Sequence, residues 1–243
     1  MKYSPRGKEL LRQFHSLLAR KRLYRKKDFL DAYSRHTDLR VQADPQAAIG
    51  GMWEEMGKLQ IDFLISKGLK PSHVLLDFGC GTLRAGRHLI RYLEPGHYYG
   101  LDISRDAIEY AKNLIKEEGL SSKSPILIVS ESRNPDFAEL EGNVFDFLLA
   151  QSVFTHLPLE HIEECFAHLR AIMHEKSVFY FTYHSGSKYC QKGSKGFRYP
   201  FYFFENLAEQ FGFELRDEST RYSHPRGQRM VELKPRPIPA DCR

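Results

Sequence analysis

The sequence predicts an α/β fold built around a mostly parallel sheet, and two observations indicate it. From residue 73 onward, short apolar runs alternate with longer stretches of helical periodicity, which is typical of repeated βαβ units. Near the end of the chain, two further apolar runs are joined too briefly for a crossover, so we expect them to form an antiparallel hairpin at the edge of the sheet. The 243 residues suffice for one large domain with a short appendage.

Two helices are predicted before the sheet. Apolar residues spaced by three and four positions over residues 9–33 indicate an amphipathic helix, which carries a basic run at residues 20–27. Helix breakers within residues 43–51 separate it from a second predicted helix at residues 53–67.

The remaining elements are predicted from the spacing of the apolar residues, which differs between strands and helices. Strands are predicted near residues 73–78, 97–102, 125–130, 144–150, 177–183, 212–217 and 227–233. Helices are predicted near residues 84–93, 104–118, 158–174 and 203–211, and residues 184–199 are predicted to be a polar loop.

Composition and charge exclude several classes of protein. Charges interrupt every apolar run, so no stretch reaches the roughly 18 consecutive apolar residues that a membrane-spanning helix needs. Residues 1–30 carry charge throughout and lack the apolar core of a secretory signal, which favours a cytoplasmic protein. The four cysteines are scattered without metal-ligand spacing, so neither a disulfide framework nor a bound metal is predicted.

The charge is distributed unevenly along the chain. Residues 1–40 hold 12 basic and 4 acidic residues, whereas residues 41–187 hold 13 basic and 20 acidic ones. We therefore expect a basic N-terminal helical extension at residues 1–49 and a main domain at residues 50–243. The basic run at residues 20–27 is suited to nucleic-acid phosphates or to an anionic membrane surface, and a solvated helix face explains it equally well.

A glycine-containing loop after the first predicted strand indicates a nucleotide-type pocket. The apolar strand ends in Asp77 and Phe78, and Gly79 and Gly81 follow before a helix begins. Because glycine has no Cβ, the backbone can turn sharply there and a ligand can approach the main-chain N–H groups closely. A dinucleotide fingerprint would place a third glycine at position 84, where Arg84 stands. An acidic residue at position 77 suits a cationic amine better than a pyrophosphate.

A second carboxylate strengthens this interpretation. Asp102 closes the next predicted strand, 21 residues beyond Gly81. A carboxylate at this point, about 20 residues after the glycine loop, can accept hydrogen bonds from both hydroxyls of a ribose. The two motifs on consecutive strands together predict a nucleoside-binding site.

These motifs resemble those of the class I S-adenosylmethionine-dependent methyltransferases. The resemblance covers roughly residues 50–233 and rests on the segments at residues 77–82, 100–104 and 144–157. It implies a Rossmann-like, doubly wound sheet of seven strands with the last strand antiparallel. It also implies S-adenosylmethionine as the cofactor and S-adenosylhomocysteine as the product.

The resemblance also implies which residues contact the cofactor. It places Asp77 and the glycine loop around the methionine part, Asp102 at the ribose, and residues 151–152 beside the adenine or the methionine part. The predicted cofactor-binding residues are Asp77, Gly79, Cys80, Gly81, Asp102, Ile103, Glu131 and Gln151.

One position departs from the family pattern. Many members carry an aspartate after the third strand to bind the adenine amino group, whereas this chain has Ser130 and Glu131 there. We assign the contact to the longer Glu131, with the Ser130 hydroxyl as the alternative.

Three residues that follow predicted strands are candidates for catalysis. Methyl transfer from a sulfonium mainly requires alignment and exclusion of water, and a general base helps when the acceptor is a hydroxyl. Ligands of open α/β sheets bind at the carboxyl ends of strands. His156 follows the fourth predicted strand, and Tyr183 and His184 end the fifth. Packing or a cofactor contact explains His156 as well, and solvation explains His184.

The expected function is methyl transfer to a small-molecule acceptor, with an oxygen acceptor favoured. The tetrapeptide typical of enzymes that methylate base amino groups is absent from residues 151–154. The loop at residues 184–199 carries four basic side chains and is suited to closing over an anionic or planar substrate, although a plain surface loop explains it equally well. RNA methylation through the basic ends, and a binding protein without turnover, are the alternatives.

Overall fold

Nine strands form the β structure of the protein, in a computed structural model that describes residues 23–24 and 28–237. The strands are β1 (Leu75–Phe78), β2 (Tyr98–Asp102), β3 (Ile126–Val129), β4 (Phe145–Ala150), β5 (Met173–Tyr183), β6 (Cys190–Lys192), β7 (Gly196–Arg198), β8 (Phe213–Asp217) and β9 (Arg229–Pro235). Seven of them form one sheet in the order β3-β2-β1-β4-β5-β9-β8, and β6 and β7 form a separate hairpin.

The pairing of the strands confirms the predicted fold class. Strands β3, β2, β1, β4 and β5 are parallel to one another. Strand β9 is antiparallel to both β5 and β8, so the hairpin of β8 and β9 closes one edge of the sheet with β9 on the inside. The sheet is therefore mostly parallel, and its last strand in the sequence is antiparallel.

Helices cover both faces of the sheet. They are α1 (Phe29–Ala43), α2 (Pro45–Ala48), α3 (Trp53–Ser66), α4 (Gly86–Tyr92), α5 (Arg105–Glu117), α6 (Leu159–His168) and α7 (Phe201–Gln210). Neighbouring residues of β4 alternate between two apolar clusters, because successive strand side chains point to opposite faces. Leu148 packs with α6 and α7, whereas Leu149 packs with α3, α4 and α5. Among the described residues, no helix is both long enough and apolar enough to cross a bilayer.

Two of the predicted element boundaries were wrong. The helix predicted at residues 158–174 ends at His168, a single 3₁₀ turn follows, and β5 begins at Met173. The first part of β5 includes the polar residues 174–176, because the strand extends beyond the core there. Ser177 Oγ fixes this part of the strand by donating to the Phe145 carbonyl at 2.6 Å. The predicted loop at residues 184–199 contains the hairpin of β6 and β7.

Helix α1 ends later than the sequence predicted, and its N-terminus lies within the range of the single helix predicted at residues 9–33. Asp28 caps its N-terminus by accepting the Leu30 amide at 2.9 Å, and the helix continues beyond residue 33 to Ala43. The first part of the predicted helix, residues 9–22, and most of the basic run at residues 20–27 lie outside the described residues.

Helix α1 packs against the carboxyl edge of β2. Ser34 Oγ donates to the Ile103 carbonyl at 2.9 Å, and Ser104 Oγ donates to Asp38 Oδ1 at 2.7 Å. Gln42 Nε2 adds a third bond, to Asp106 Oδ2 at 2.7 Å. From residue 28 onward, the segment that we expected to be an extension is therefore docked on the domain beside the predicted site.

Candidate functional site

The loop between β1 and α4 requires glycine at two positions. Gly79 and Gly81 have φ angles of +75° and +55°. A Cβ atom would lie 2.5 Å from Val153 Cγ2 at position 79 and 2.7 Å from Ile49 Cγ2 at position 81. Both the left-handed backbone and the close neighbours exclude larger residues, which keeps the main chain of this loop tightly folded at the end of β1.

Asp102 is held in place by backbone amides on both sides. Gly81 N–H donates to Asp102 Oδ2 and Ser104 N–H donates to Asp102 Oδ1, each at 2.8 Å. Burial raises the pKa of Asp102, and the two amide bonds oppose that rise because they stabilise the ionised form. The glycine loop and the end of β2 are thus joined through one carboxylate.

Asp77 is the more deeply buried carboxylate. Tyr98 Oη donates to Asp77 Oδ2 at 2.8 Å. Burial raises the pKa of Asp77 to about 7, the Tyr98 hydrogen bond opposes the rise, and the nearby charge of Asp102 adds to it. A cationic group placed beside Asp77 would favour its ionised form.

A cavity of about 360 Å³ lies at the carboxyl ends of β1, β2 and β4. This volume is within the range of small-molecule sites, and the position is where open α/β sheets bind ligands. The structure brings most of the predicted residues to this cavity. The predicted residues that line it are Asp77, Gly79, Cys80, Gly81, Asp102, Ile103, Gln151, His156 and His184.

Glu131 and Tyr183 do not line the cavity. The side chain of Glu131 is 65% exposed and pairs with Arg105 at 2.6 Å. Ser130, the alternative, lines the cavity instead, and its buried Oγ has no hydrogen-bond partner among the described residues. The structure thus places Ser130, and not Glu131, on the cavity wall. The contact of Ser130 with the adenine stays a prediction.

Tyr183 belongs to the apolar core. Its ring packs against that of Phe204 on α7, with 4.7 Å between the ring centroids. The alternation of side chains along β5 turns Tyr183 towards α7, whereas the following residue, His184, lines the cavity. Tyr183 is therefore corrected from a catalytic candidate to a core residue.

A network of amides and hydroxyls fixes Gln151 at the end of β4. Tyr222 Oη donates to Gln151 Oε1 at 2.7 Å, and Gln151 Nε2 donates to Gln228 Oε1 at 3.2 Å. Ser152, which has the left-handed φ of +62°, donates through Oγ to the same Gln228 oxygen at 3.0 Å. The sequence did not reveal Tyr222 and Gln228, because they reach β4 from the hairpin of β8 and β9.

His156 is held in one tautomer. Its Nδ1 lies 2.7 Å from the Lys195 carbonyl oxygen. A carbonyl can only accept, so Nδ1 carries the hydrogen and Nε2 keeps its lone pair. Burial, together with the Lys195 cation, lowers the pKa of His156 to about 4. His156 is therefore a neutral imidazole at neutral pH.

Helix α1 and the hairpin of β6 and β7 meet above His156. The Tyr33 ring lies 5.5 Å from the His156 ring, and Lys195 Nζ lies 5.5 Å from the centroid of the Tyr33 ring. Phe29 packs against Phe197 of β7 at 5.5 Å. Both segments contribute to the cavity wall, and neither Tyr33 nor Lys195 was predicted as a site residue.

Arginines that the sequence analysis did not assign to the site also line the cavity. Arg84 was noted only as a missing third glycine, and it is buried beside the loop of Gly79 and Gly81. Arg40 comes from α1, Arg133 follows β3, and Arg226 comes from the loop between β8 and β9. No local pattern connects these four side chains, so only the folded chain brings them together.

Comparison with known proteins agrees with this geometry. Residues 76–179 match a family model described as a methyltransferase domain. Magnesium protoporphyrin IX methyltransferase from Synechocystis PCC 6803, solved with bound S-adenosylhomocysteine, is similar in structure at 15% identity, with 86% of this chain and 100% of that chain covered and a TM-score of 0.63.

Two further solved structures are similar. An S-adenosylmethionine-dependent methyltransferase from Leishmania major is 15% identical, with 87% of this chain and 85% of that chain covered and a TM-score of 0.65. The protein DhpI in a complex with SAM and HEP is 14% identical, with 85% and 98% covered and a TM-score of 0.62. At these identities, the likenesses show a shared fold.

Proposed function

We propose that this chain is an S-adenosylmethionine-dependent methyltransferase with the class I fold and that it methylates an oxygen atom of a small-molecule acceptor. S-adenosylhomocysteine is then the second product. The observation that carries the proposal is that a single cavity connects the glycine loop, Asp77 and Asp102 to the neutral imidazole of His156.

The groups in the cavity match the chemistry of the cofactor. The ribose offers two hydroxyl donors, and Asp102 offers carboxylate lone pairs beyond those used by Gly81 and Ser104. The methionine part carries an ammonium group, which suits the buried carboxyl of Asp77. The unpartnered Oγ of Ser130 supplies a buried hydrogen-bonding group for the adenine. The residues present therefore fit an S-adenosyl nucleoside.

Each residue has a separate role in the proposed reaction. When bound, the cofactor supplies a methyl group activated by a sulfonium. Asp102 and Asp77 fix the orientation of the nucleoside and its amino-acid part, while Gln151 is held rigid by Tyr222. His156 Nε2 accepts the proton of the acceptor hydroxyl. Tyr33 of α1 covers the cavity and excludes water.

An oxygen acceptor is supported by two features. Residues 151–154 lack the tetrapeptide that amino-group methylases of bases use, and His156, which lines the cavity, keeps an Nε2 lone pair that can accept the proton of a hydroxyl. The RNA alternative depends on the basic run at residues 20–27, whereas residues 41–187 are acidic, with 13 basic and 20 acidic residues. We therefore place the small-molecule acceptor first.

The test is a calorimetric titration of the purified protein with S-adenosylmethionine, S-adenosylhomocysteine and NAD in parallel. We expect micromolar binding of the first two ligands and none of NAD. Binding of NAD alone, or of none of the three, would contradict the proposal. Release of S-adenosylhomocysteine is then measured with hydroxyl-bearing compounds and with amine analogues of the same skeleton, and a preference for the amines would contradict the choice of oxygen.

A further inference from the structure

Two arginines from distant segments converge on one turn in the cavity wall. Arg40 Nη2 donates to the Ala47 carbonyl at 2.6 Å, and Arg226 Nη2 donates to the Gly50 carbonyl. These carbonyls belong to the same turn, which is closed by the Gly50 N–H donating to the Ala47 carbonyl at 3.0 Å. Both side chains line the cavity. Two guanidinium groups are therefore held by one turn at the edge of the cavity.

The turn is built to admit Arg226. Gly50 has a φ of +97°, and a Cβ atom there would lie 2.7 Å from Arg226 Nη1. Any other residue would push the guanidinium away from the turn and would require an unfavourable backbone conformation. Glycine at position 50 thus preserves the place of a cation in the cavity wall.

The charges of these arginines are not compensated by carboxylates. In the part of the chain that the structure describes, no carboxylate lies within salt-bridge distance of Arg40, Arg84 or Arg226. Their hydrogen-bond partners are backbone carbonyls of residues 47–51, which are neutral. Arg133 differs, because it pairs with Asp31.

The cofactor cannot balance these charges. The described carboxylates that line the cavity are Asp77 and Asp102. S-adenosylmethionine carries a sulfonium, an ammonium and one carboxylate, so it brings a further net positive charge. Arg84 lies near enough to Asp77 for its charge to oppose the rise in the Asp77 pKa, so it is placed to meet the carboxylate on the carbon that bears the ammonium. Arg40 and Arg226 then remain without a counter-charge among the described residues, and each guanidinium group keeps N–H donors that an anionic ligand in the cavity can use.

We propose that the acceptor carries an anionic group, a carboxylate or a phosphate, which binds between Arg40 and Arg226 at the turn of residues 47–50. This inference rests on the proposed function and names its substrate class. The planar guanidinium group matches the geometry of carboxylate and phosphate oxygens and forms charge-assisted hydrogen bonds with them. Lys195, which lines the same cavity from the hairpin, adds to the positive potential there.

The lowered pKa values of the surrounding histidines agree with a cationic environment. His156 is influenced by the charges of Lys195 and Arg40, and His224 by those of Arg84 and Arg226, although burial is the main cause in both cases. An anion bound between the arginines would reduce this effect.

The experiment titrates the full chain, saturated with S-adenosylhomocysteine, with inorganic phosphate and with benzoate at constant ionic strength. Neutral benzamide serves as the matched uncharged probe. We expect at least one anion to bind and benzamide not to bind. Arg40→Met and Arg226→Met each weaken anion binding about tenfold or more, because each removes a charge-assisted hydrogen bond. Arg226→Lys keeps the charge and retains part of the affinity.

Two matched controls lie outside the cavity. Arg35→Met is on the exposed side of α1, and Arg221→Met is an exposed position in the loop between β8 and β9. Both are expected to leave anion binding unchanged. If either cavity variant does not fold, the other variant and Arg226→Lys still decide the outcome.

A second titration distinguishes whether the two arginines bind a carboxylate of the acceptor or the carboxylate of the cofactor. Affinity for S-adenosylhomocysteine is measured for each variant beside 5′-methylthioadenosine, which lacks the amino-acid part. If a variant lost affinity for S-adenosylhomocysteine but kept its affinity for 5′-methylthioadenosine, these arginines would bind the methionine carboxylate. That result would overturn the inference. Failure of every anion to bind the loaded protein would also overturn it and leave the proposed function standing. Failure of S-adenosylhomocysteine itself to bind would overturn both.

Discussion

The two halves of the cavity wall are built in different ways. The half formed by β1, β2 and their loops uses residues within one short stretch of chain, and two backbone amides fix its central carboxylate, Asp102. The other half comes from three covering segments, namely residues 28–51, the hairpin of β6 and β7, and the loop at residues 218–228. They are held by hydrogen bonds between residues far apart in sequence. We infer that the first half determines the cofactor and the second determines the acceptor.

The largest expected effect is at His156, which contacts the covering half through the Lys195 carbonyl and the Tyr33 ring. His156→Gln removes the lone pair of Nε2, so we expect methyl transfer to fall about 10²- to 10⁴-fold. Affinity for S-adenosylhomocysteine should change little, because the loop and strand-end carboxylates remain. The rate of S-adenosylhomocysteine release is measured with an acceptor that the wild type methylates, and His168→Gln, on the exposed side of α6, is the control. An unchanged rate would remove His156 from the mechanism.

The second-largest effect is expected in the half of the wall formed by β1, β2 and their loops. Asp102→Ala removes the acceptor of the ribose hydrogen bonds, so binding of S-adenosylhomocysteine should weaken by about 1.5–3 kcal/mol, which is about 10- to 150-fold. Calorimetry measures the change, with the exposed Asp62→Ala as the control. If the affinity of the Asp102 variant equalled that of the wild type, the ribose would have to bind elsewhere.

Titration of Asp77 is expected to change the affinity for S-adenosylhomocysteine by about tenfold per pH unit below pH 7. Its pKa of about 7 in the free protein means that the carboxyl is mostly protonated below pH 7. The ammonium of S-adenosylhomocysteine requires the ionised carboxylate, so affinity falls as the pH drops below 7 and levels off above it. Calorimetry between about pH 5.5 and pH 8.5 measures the slope. Asp77→Asn should bind weakly with a flat profile, and a sloping profile in that variant would assign the titration to another group.

The smallest effect concerns the docking of α1. Ser34→Ala removes the bond to the Ile103 carbonyl and should lower the free energy of unfolding by about 1 kcal/mol. Hydrogen exchange of α1 amides should accelerate more than that of β1 and β2, since the lost bond serves the covering half alone. The exposed Ser121→Ala is the control. Equal acceleration in all three elements would mean that the two halves open together.

The difference between the two halves of the wall explains which site residues could be predicted from the sequence. Asp77, Gly79, Gly81 and Asp102 lie at the ends of consecutive parallel strands, and such ends meet at one edge of a sheet, so order along the chain sufficed to bring them together. Ser130 and Glu131 show where that reasoning ended. Both residues follow the end of β3, and the sequence pattern does not fix the last residue of that strand closely enough to tell which of the two faces the cavity.

The covering half had no comparable pattern. Tyr33, Arg40 and Arg226 each lie in a segment with ordinary helical or loop composition, and their convergence depends on docking contacts such as that between Arg226 and Gly50, which are 176 residues apart. The hairpin of β6 and β7 was missed because each of its strands has three residues, too few for an alternating pattern. The start of β5 was missed because its first residues are polar and exposed.

Gly50 has a consequence for how the enzyme can be altered. Its φ of +97° disfavours every residue but glycine at position 50, whereas Arg40 and Arg226 are side chains in the cavity wall whose exchange leaves the backbone of the turn unchanged. A library aimed at new acceptors is therefore best directed at the two arginines, with position 50 and the turn around it left intact. In such a library, the charge of the side chains at positions 40 and 226 would change the selectivity for the acceptor while the backbone of the turn stayed the same. The variants would keep the binding of the methyl donor.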